Sequence, residues 1–364
     1  MTKYTINCDW FELIFSGHTD QIKNEFEVYL APDLRLTFWD ENYSTRFFKK
    51  IRKLFINNKH WATICSEPPA NSILKQNTFS FQLANERLYE VGWLDLVKLF
   101  VNHFGFKYEG TTRLDICLDG HGFLDVVNRV VLGELKCVSR AGRSVKFTPK
   151  MEVEGFRLGT YASDRSVKVY NKTKELSHSN KWYIKKHWEH ANLDLSADVE
   201  RLEVTLRNEY VKLTKGYDWQ RLDDFEYLAS VMRTSLFKYW EFRENREISN
   251  VSRLVKTDFI DWSALGGVML DRLSATMPSD VFRLKQAAKT DFFIYLQTKE
   301  QFRADLCVEK LKNINCLQWF YEREESWRRE FDRRNGKNRT GEISFKYISE
   351  FKQYKPKQQL VFSV

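Results

Sequence analysis

No stretch of this sequence approaches the roughly 20 consecutive apolar residues that a membrane-spanning helix needs. The opening Met1-Thr2-Lys3-Tyr4-Thr5 leads into no apolar h-region of a signal peptide. The expectation is a soluble, cytoplasmic protein with no membrane partner. Six cysteines, at 8, 65, 117, 137, 307 and 316, include no Cys-x-x-Cys pair. In a chain of this length they read as reduced thiols rather than a disulfide framework. No internal repeat and no low-complexity tract occurs. A strong charge of either sign is also missing: 58 Lys+Arg against 49 Asp+Glu leave +9. That excess tilts the expectation toward a polyanionic partner. Most of it is local. Between Arg328 and Gln358 ten basic residues face four acidic ones, a net of +6.

What is present is material for a core. Of 364 residues, 43% are hydrophobic and 15% aromatic. This suffices for one large domain or two medium ones, and disorder is not the default. Two runs stand out: Thr112-Arg113-Leu114-Asp115-Ile116-Cys117-Leu118-Asp119 and Glu200-Arg201-Leu202-Glu203-Val204-Thr205-Leu206-Arg207. Both alternate apolar and polar residues with period two, the signature of a strand with one buried face. Leu114, Ile116 and Leu118 face one way, and Arg113, Asp115 and Asp119 the other. Leu202, Val204 and Leu206 oppose Arg201, Glu203, Thr205 and Arg207. Such a sheet can hold carboxylates for a metal ion and cations for phosphate oxygens.

Further strands are expected at 4–15, 74–83, 143–148, 151–160 and 165–171, and helices at 93–104 and 123–132. A polar, Lys- and aromatic-rich stretch covers 172–198. Within it, 181–190 suits a single-strand stacking surface or a hairpin edge. After about 215 the pattern turns helical, at 222–244 and 281–331. The fold class is therefore α+β: an antiparallel sheet over residues 1–212, then a mainly helical C-terminal region over 213–364 with a basic tail.

Between the two acidic strands, Val167 and Val169 alternate with Lys168, Tyr170 and Lys172. A phenol with its ordinary pKa of about 10 is a weak nucleophile. Neighbouring cations, or a metal that polarises a phosphodiester, make its attack feasible. Four segments now occur in order: Asp9-Trp10-Phe11; Thr112-Arg113-Leu114-Asp115 with Asp119; Gly159-Thr160-x-x-Ser163-Asp164-Arg165-x-Val167-Lys168-Val169-Tyr170-Asn171-Lys172; and Arg201-Leu202-Glu203. In spacing and order, over roughly residues 5–210, they resemble the replication initiation factor (Rep_trans) family of rolling-circle initiators of plasmids, phages and integrative elements. The matching family segments are its opening Asp-Trp strand, its Thr-Arg-Ile-Asp-x-x-x-Asp strand, its Gly-Ser-x-x-Ser-Asp-Lys-x-Leu-Arg-Ile-Tyr-Asp-Lys segment and its Arg-x-Glu strand.

The resemblance implies a site-specific DNA nickase on a sheet related to that of the His-hydrophobic-His nucleases. A tyrosine attacks one strand at the origin, leaving a 5′-phosphotyrosine link and a free 3′-OH. Carboxylates hold Mg²⁺ or Mn²⁺. Tyr170 is the first candidate nucleophile, Tyr161 the second and Tyr183 the third. Arg157 stands where the family usually has a tyrosine, and Asn171 where it has an acid. Asp115 and Glu203 are the leading metal ligands, with Asp119 third. Lys168, Lys172, Arg113, Arg165 and Arg201 are the expected phosphate contacts. The implied partners are origin DNA, single-stranded or cruciform, and a host helicase and polymerase. The oligomeric state, monomer or dimer, is left open. No His-x-His occurs, so a metal site would be carboxylate-dominated.

Simpler readings stand beside these. Asp115 and Glu203 can pair with Arg113 and Arg201 across a sheet. His187 and His190 fit a surface turn or helix better than a metal site, and His121, beside Asp119, is an outside candidate. Gly159 can be a turn glycine and nothing more. Trp319, Phe320, Trp327 and Phe331 can form a helical core. Rival functions are a mobilisation relaxase with the same chemistry, a non-catalytic nucleic-acid binder, and a metal nuclease that uses water.

Overall fold

Alternating sequence becomes antiparallel sheet wherever the apolar positions can share one face. A computed structural model describes residues 3–22, 34–70, 72, 74–161, 163–245, 254–273, 280–312 and 317–334. Its strands are β1 (Thr5–Ser16), β2 (Leu36–Glu41), β3 (Lys50–Ile56), β4 (Lys59–Ser66), β5 (Thr78–Leu83), β6 (Lys107–Gly120), β7 (Leu135–Cys137), β8 (Arg143–Phe147), β9 (Val153–Leu158), β10 (Arg165–Asn171), β11 (Glu200–Arg207), β12 (Phe242–Glu244) and β13 (Lys256–Thr257). The helices are α1 (Trp93–His103), α2 (Phe123–Val131), α3 (Lys172–Ser179), α4 (Trp182–His190), α5 (Asn208–Lys212), α6 (Phe225–Leu236), α7 (Asp280–Thr298), α8 (Gln301–Lys312), α9 (Leu317–Tyr321) and α10 (Glu324–Arg334).

Ten strands form one antiparallel sheet in the order β2-β3-β4-β5-β1-β6-β11-β10-β9-β8. β7, β12 and β13 form a small second sheet. One face of the large sheet is apolar: Phe11, Leu13, Phe15, Leu114, Ile116, Leu118, Leu202, Val204, Leu206, Val167 and Val169 are all buried. α1, α2 and α6 supply its cover, with Val97, Phe100, Val126, Val127, Leu228 and Met232 in the same core. α6 is well started: the Asp224 side chain accepts from the backbone N–H of Glu226 and Tyr227.

α3 and α4 replace the expected stacking surface or hairpin edge at 181–190. Ile184 and Trp188, one turn apart, turn inward with Leu176, Leu193 and Val199 into a satellite core. They lie over one end of the sheet's polar face.

The chain divides into two compact units, Met1–Leu273 and Ser274–Val364. The expected boundary at 212/213 thus falls inside the first unit. Trp219, Leu222, Tyr227, Val231 and Phe242 belong to the sheet's own core, so this unit cannot end at the last long strand. The second unit has its own core of Phe292, Tyr295, Cys307, Leu311, Phe320 and Trp327, with Phe331 packed against it. The expected helical run 281–331 is four helices, α7 to α10. The basic tail beyond Arg334 lies outside the described residues. Cys8, Cys65, Cys117, Cys137 and Cys307 are free thiols. Among the described residues no helix is long and apolar enough to cross a membrane.

Candidate active site

Three neighbouring strands carry the polar residues of interest, and register decides which of them meet. Across β6 and β11, Asp115 lies opposite Thr205, Cys117 opposite Glu203, and Asp119 opposite Arg201. Across β11 and β10, Glu203 lies opposite Lys168, and Arg201 opposite Tyr170. With strands about 4.8 Å apart, these residues form rows across one face.

The first row centres on Glu203. Glu203 accepts from Lys168 Nζ at 2.6 Å through Oε1 and from the Tyr170 hydroxyl at 3.0 Å through Oε2. Asp115 takes Arg113 in a fork, Nε to Oδ1 at 2.9 Å and Nη2 to Oδ2. The carboxylates are the inner layer, with side chains 3% and 6% exposed for Asp115 and Glu203, and the cations the outer, at 29% and 27% for Arg113 and Lys168. The cations therefore form the solvent-facing layer of this face. Arg113 also lies 4.3 Å over the Trp10 ring.

Burial raises the Asp115 carboxyl above its ordinary value, and the Glu203 charge adds to this against the Arg113 hydrogen bond. Burial, then the same Glu203 charge, push the Tyr170 phenol well above its ordinary value. Tyr170 is thus a protonated phenol at neutral pH whose proton already points at a carboxylate. A hydroxyl and a carboxylate are thus within hydrogen-bond reach, the spacing that proton transfer between them requires.

The second row is a buried ion cluster. Arg201 is fully buried and donates to Asp119 through Nε (2.6 Å) and Nη2 (2.7 Å), while its Nη1 lies 2.9 Å from Asp9. Trp188 Nε1 donates to Asp119 at 2.7 Å. Tyr89 donates to Asp9 at 2.5 Å. A bulge in β1 between Cys8 and Trp10 makes the room that brings Asp9 to this side. Burial alone raises the Asp9 carboxyl; Arg201 and the Tyr89 hydrogen bond outweigh it and hold the group well below the usual carboxylate range.

Several expected roles change as a result. Asp119 has its oxygens taken by Arg201 and Trp188, both sealed in the core, so it is a structural partner rather than a third metal ligand, whereas the Arg113 and Lys168 partners of Asp115 and Glu203 are part-exposed and free to swing aside. Arg201 is sealed beneath α4 and cannot clamp a phosphate. Lys172, 2% exposed, is held by Glu175 at 2.5 Å. Arg165 points to the apolar face, donates to the Ser235 carbonyl at 2.5 Å and lies against the Tyr239 ring. Tyr183 donates to Asn85 at 2.5 Å, at the edge of the second row. Tyr161 is 76% exposed in the β9–β10 loop, with Arg157 at 4.0 Å over its ring. His187 and His190 are in the last turn of α4, and His121 is bound to the carbonyls of Asp194 and Asp198. Arg157 and Arg207 on the same polar face were not among the expected contacts. Period two in β9 and β11 marks both positions.

Among the described residues no three carboxylate, histidine or cysteine side chains gather into a metal site. The pair Asp115 and Glu203 nevertheless fits a hard cation: its donors are oxygens, and its two like charges press on one another. Mg²⁺ is commonly held by one or two carboxylates with substrate phosphates and water completing the shell.

No family model matches this chain, and no curated protein matches it. Among solved structures it is similar to a rolling circle replication initiator protein. That protein is from Geobacillus stearothermophilus; identity is 16%, coverage is 72% of this chain and 96% of that chain, and the TM-score is 0.44.

Proposed function

We propose that the protein is a rolling-circle replication initiator that nicks one DNA strand through Tyr170. The observation that carries this reading is the Tyr170–Glu203–Lys168 contact, beside the Asp115–Arg113 pair, on the polar face of the sheet. In the proposed step the Tyr170 oxygen attacks the scissile phosphorus and its proton passes to Glu203 Oε2. A bond forms from phosphorus to the tyrosine oxygen, and the bond from phosphorus to the 3′ oxygen breaks. The departing 3′ oxygen takes a proton from water. The products are a 5′-phosphotyrosine link and a free 3′-OH. Lys168 and Arg113 neutralise the non-bridging oxygens, as phosphoryl transfer requires. Asp115 and Glu203 would hold one Mg²⁺ or Mn²⁺, which when bound supplies Lewis-acid polarisation of the phosphodiester. Origin DNA, and a host helicase and polymerase, are the partners that the motif resemblance implies.

An adduct assay tests the proposal. Fluorescent single-stranded DNA from the origin of the carrying element is mixed with the protein, with and without Mn²⁺, and run on a denaturing gel. We expect a covalent band that needs Mn²⁺, persists in Tyr161→Phe and disappears in Tyr170→Phe. Loss in Tyr161→Phe alone would move the nucleophile to the loop. Tight binding without an adduct in any form would replace the nickase by a non-catalytic binder.

A further inference from the structure

Residues 159–165 are the part of the tyrosine segment that the Tyr170 site does not use. Of these, Ser163, Asp164 and Arg165 line one wall of an open pocket of about 500 Å³, with residues 138–141 and Lys238 and Tyr239 after α6 lining the rest. Gly159 shapes this wall. Its φ is +81°, and a Cβ there would collide with the Tyr239 hydroxyl and lie 2.9 Å from the Arg165 carbonyl. The Tyr239 hydroxyl itself donates to that carbonyl at 3.1 Å.

The cavity is cationic and underneutralised. Arg140, Arg165 and Lys238 line it against a single carboxylate, Asp164. Asp164 Oδ1 already accepts the Arg165 backbone N–H at 2.8 Å. None of the three cations has an ion pair among the described residues. Arg165 is fixed by the Ser235 carbonyl and lies 4.1 Å from the Tyr239 ring and 5.2 Å from the Tyr210 ring. Arg272 lies 3.8 Å from the Tyr210 ring, its Nε buried with no hydrogen-bond partner among the described residues. Burial lowers the Arg165 pKa and the Arg272 charge adds to this, against the Tyr210 hydroxyl. Lys238 sits at the rim with φ +56°, a left-handed conformation uncommon for lysine. The Ser139 oxygen accepts from the Ala141 N–H at 3.2 Å, which leaves its own O–H to donate.

We infer that this cavity binds a backbone phosphate of the single DNA strand engaged at Tyr170, with Arg140 and Lys238 as the direct contacts. The inference rests on the nicking proposal for the strand's identity, not for the cavity's chemistry. Arg165 and Tyr170 are five residues apart in β10, about 16 Å. The two side chains point to opposite faces of the sheet, so a strand reaches both by running along the polar face and turning over the β9–β10 loop, a further ~10 Å and about eight nucleotides in all at ~3.4 Å each.

The test is binding of a fluorescent 20-nucleotide single strand, followed by anisotropy between 50 and 300 mM salt in the Tyr170→Phe background, so that nicking plays no part. Arg140→Glu/Lys238→Glu is compared with Lys59→Glu/Lys75→Glu, which changes the net charge equally at exposed positions elsewhere. We expect about tenfold weaker binding and a salt slope smaller by roughly 1.4 for the cavity variant, with the control within twofold of the parent. Equal losses in both variants, or none, would overturn the inference while leaving the adduct assay intact. Absence of an adduct with the cavity effect preserved would instead remove the nickase and keep the phosphate site. Inorganic phosphate alone gives the last arm. A thermal shift with phosphate, abolished in the cavity variant whose 20-mer binding is unchanged, would reassign the cavity to free phosphate and overturn the DNA assignment.

Discussion

Arg201 shows how one cross-strand partner decides a residue's role. Its buried guanidinium donates twice to Asp119 and lies 2.9 Å from Asp9 as an ion pair. Removing a buried cation leaves its carboxylates uncompensated, a loss of about 3–5 kcal/mol. Arg201→Met should therefore lower the urea midpoint by that equivalent, and Arg201→Met/Asp9→Asn/Asp119→Asn should recover part of it. The cluster also sets acid stability. Asp9 is held below its ordinary value, so the folded chain binds that proton less tightly than the unfolded chain does. Its contribution is complete above the unfolded value of about 4 and is lost as pH falls below it toward the folded value. Asp9→Asn should flatten this acid limb in unfolding measured between pH 5 and 2.5; an unchanged limb would remove Asp9 from the account. Periodicity alone placed Arg113, Asp115, Asp119, Arg201 and Glu203 on polar faces, and the structure has them there. It does not carry register, which sends Arg201 to Asp119 and gives Lys168 to Glu203. The Asp9 bulge interrupts the alternation that would otherwise have marked the residue.

At the scale of elements, the β9–β10 turn depends on Gly159 for two separate reasons. Its backbone is left-handed, and the Tyr239 hydroxyl occupies the space a side chain would need. Gly159→Ala should cost about 1–3 kcal/mol in chemical unfolding, and Gly159→Ala/Tyr239→Phe should regain part by removing the hydroxyl. A double variant no better than the single would assign the cost to φ and to the Arg165 carbonyl that a Cβ would still meet. The elements that escaped the sequence reading did so for identifiable reasons. β3 contains the buried Arg52, paired with Asp40 and lying 4.0 Å over Phe38, and a register shift between Leu54 and Phe55. A buried arginine and a bulge both erase period two. α4 has only Ile184 and Trp188 as buried anchors and no side-chain cap, so its lysines and aromatics read as an exposed surface. By contrast α1, α2 and β10 were legible because their apolar positions are complete and their caps or turns contain glycine.

For the whole molecule, the boundary between units is a statement about which residues complete the sheet's core. A division at 212 follows the end of strand-like sequence, but the apolar face of β1 and β11 is finished only by α6 and by Trp219, Leu222 and Phe242. Helical text after a sheet domain looks like a new domain whenever the helix that covers the sheet comes last in the chain. Burying apolar surface is worth about 25 cal/mol per Å², so stripping this cover exposes several aromatic and aliphatic side chains at once. A chain ending at residue 273 should therefore express as a folded protein with a cooperative thermal transition and an antiparallel-sheet circular dichroism spectrum. A chain ending at 212 should aggregate or remain unfolded. The same pair tests where the chemistry resides. The proposed site lies wholly within Met1–Leu273, so the 273-residue form should retain the Tyr170-dependent adduct. A folded 273-residue form that binds the origin strand yet forms no adduct, beside an active full-length chain, would show that the α7–α10 unit contributes to the reaction itself.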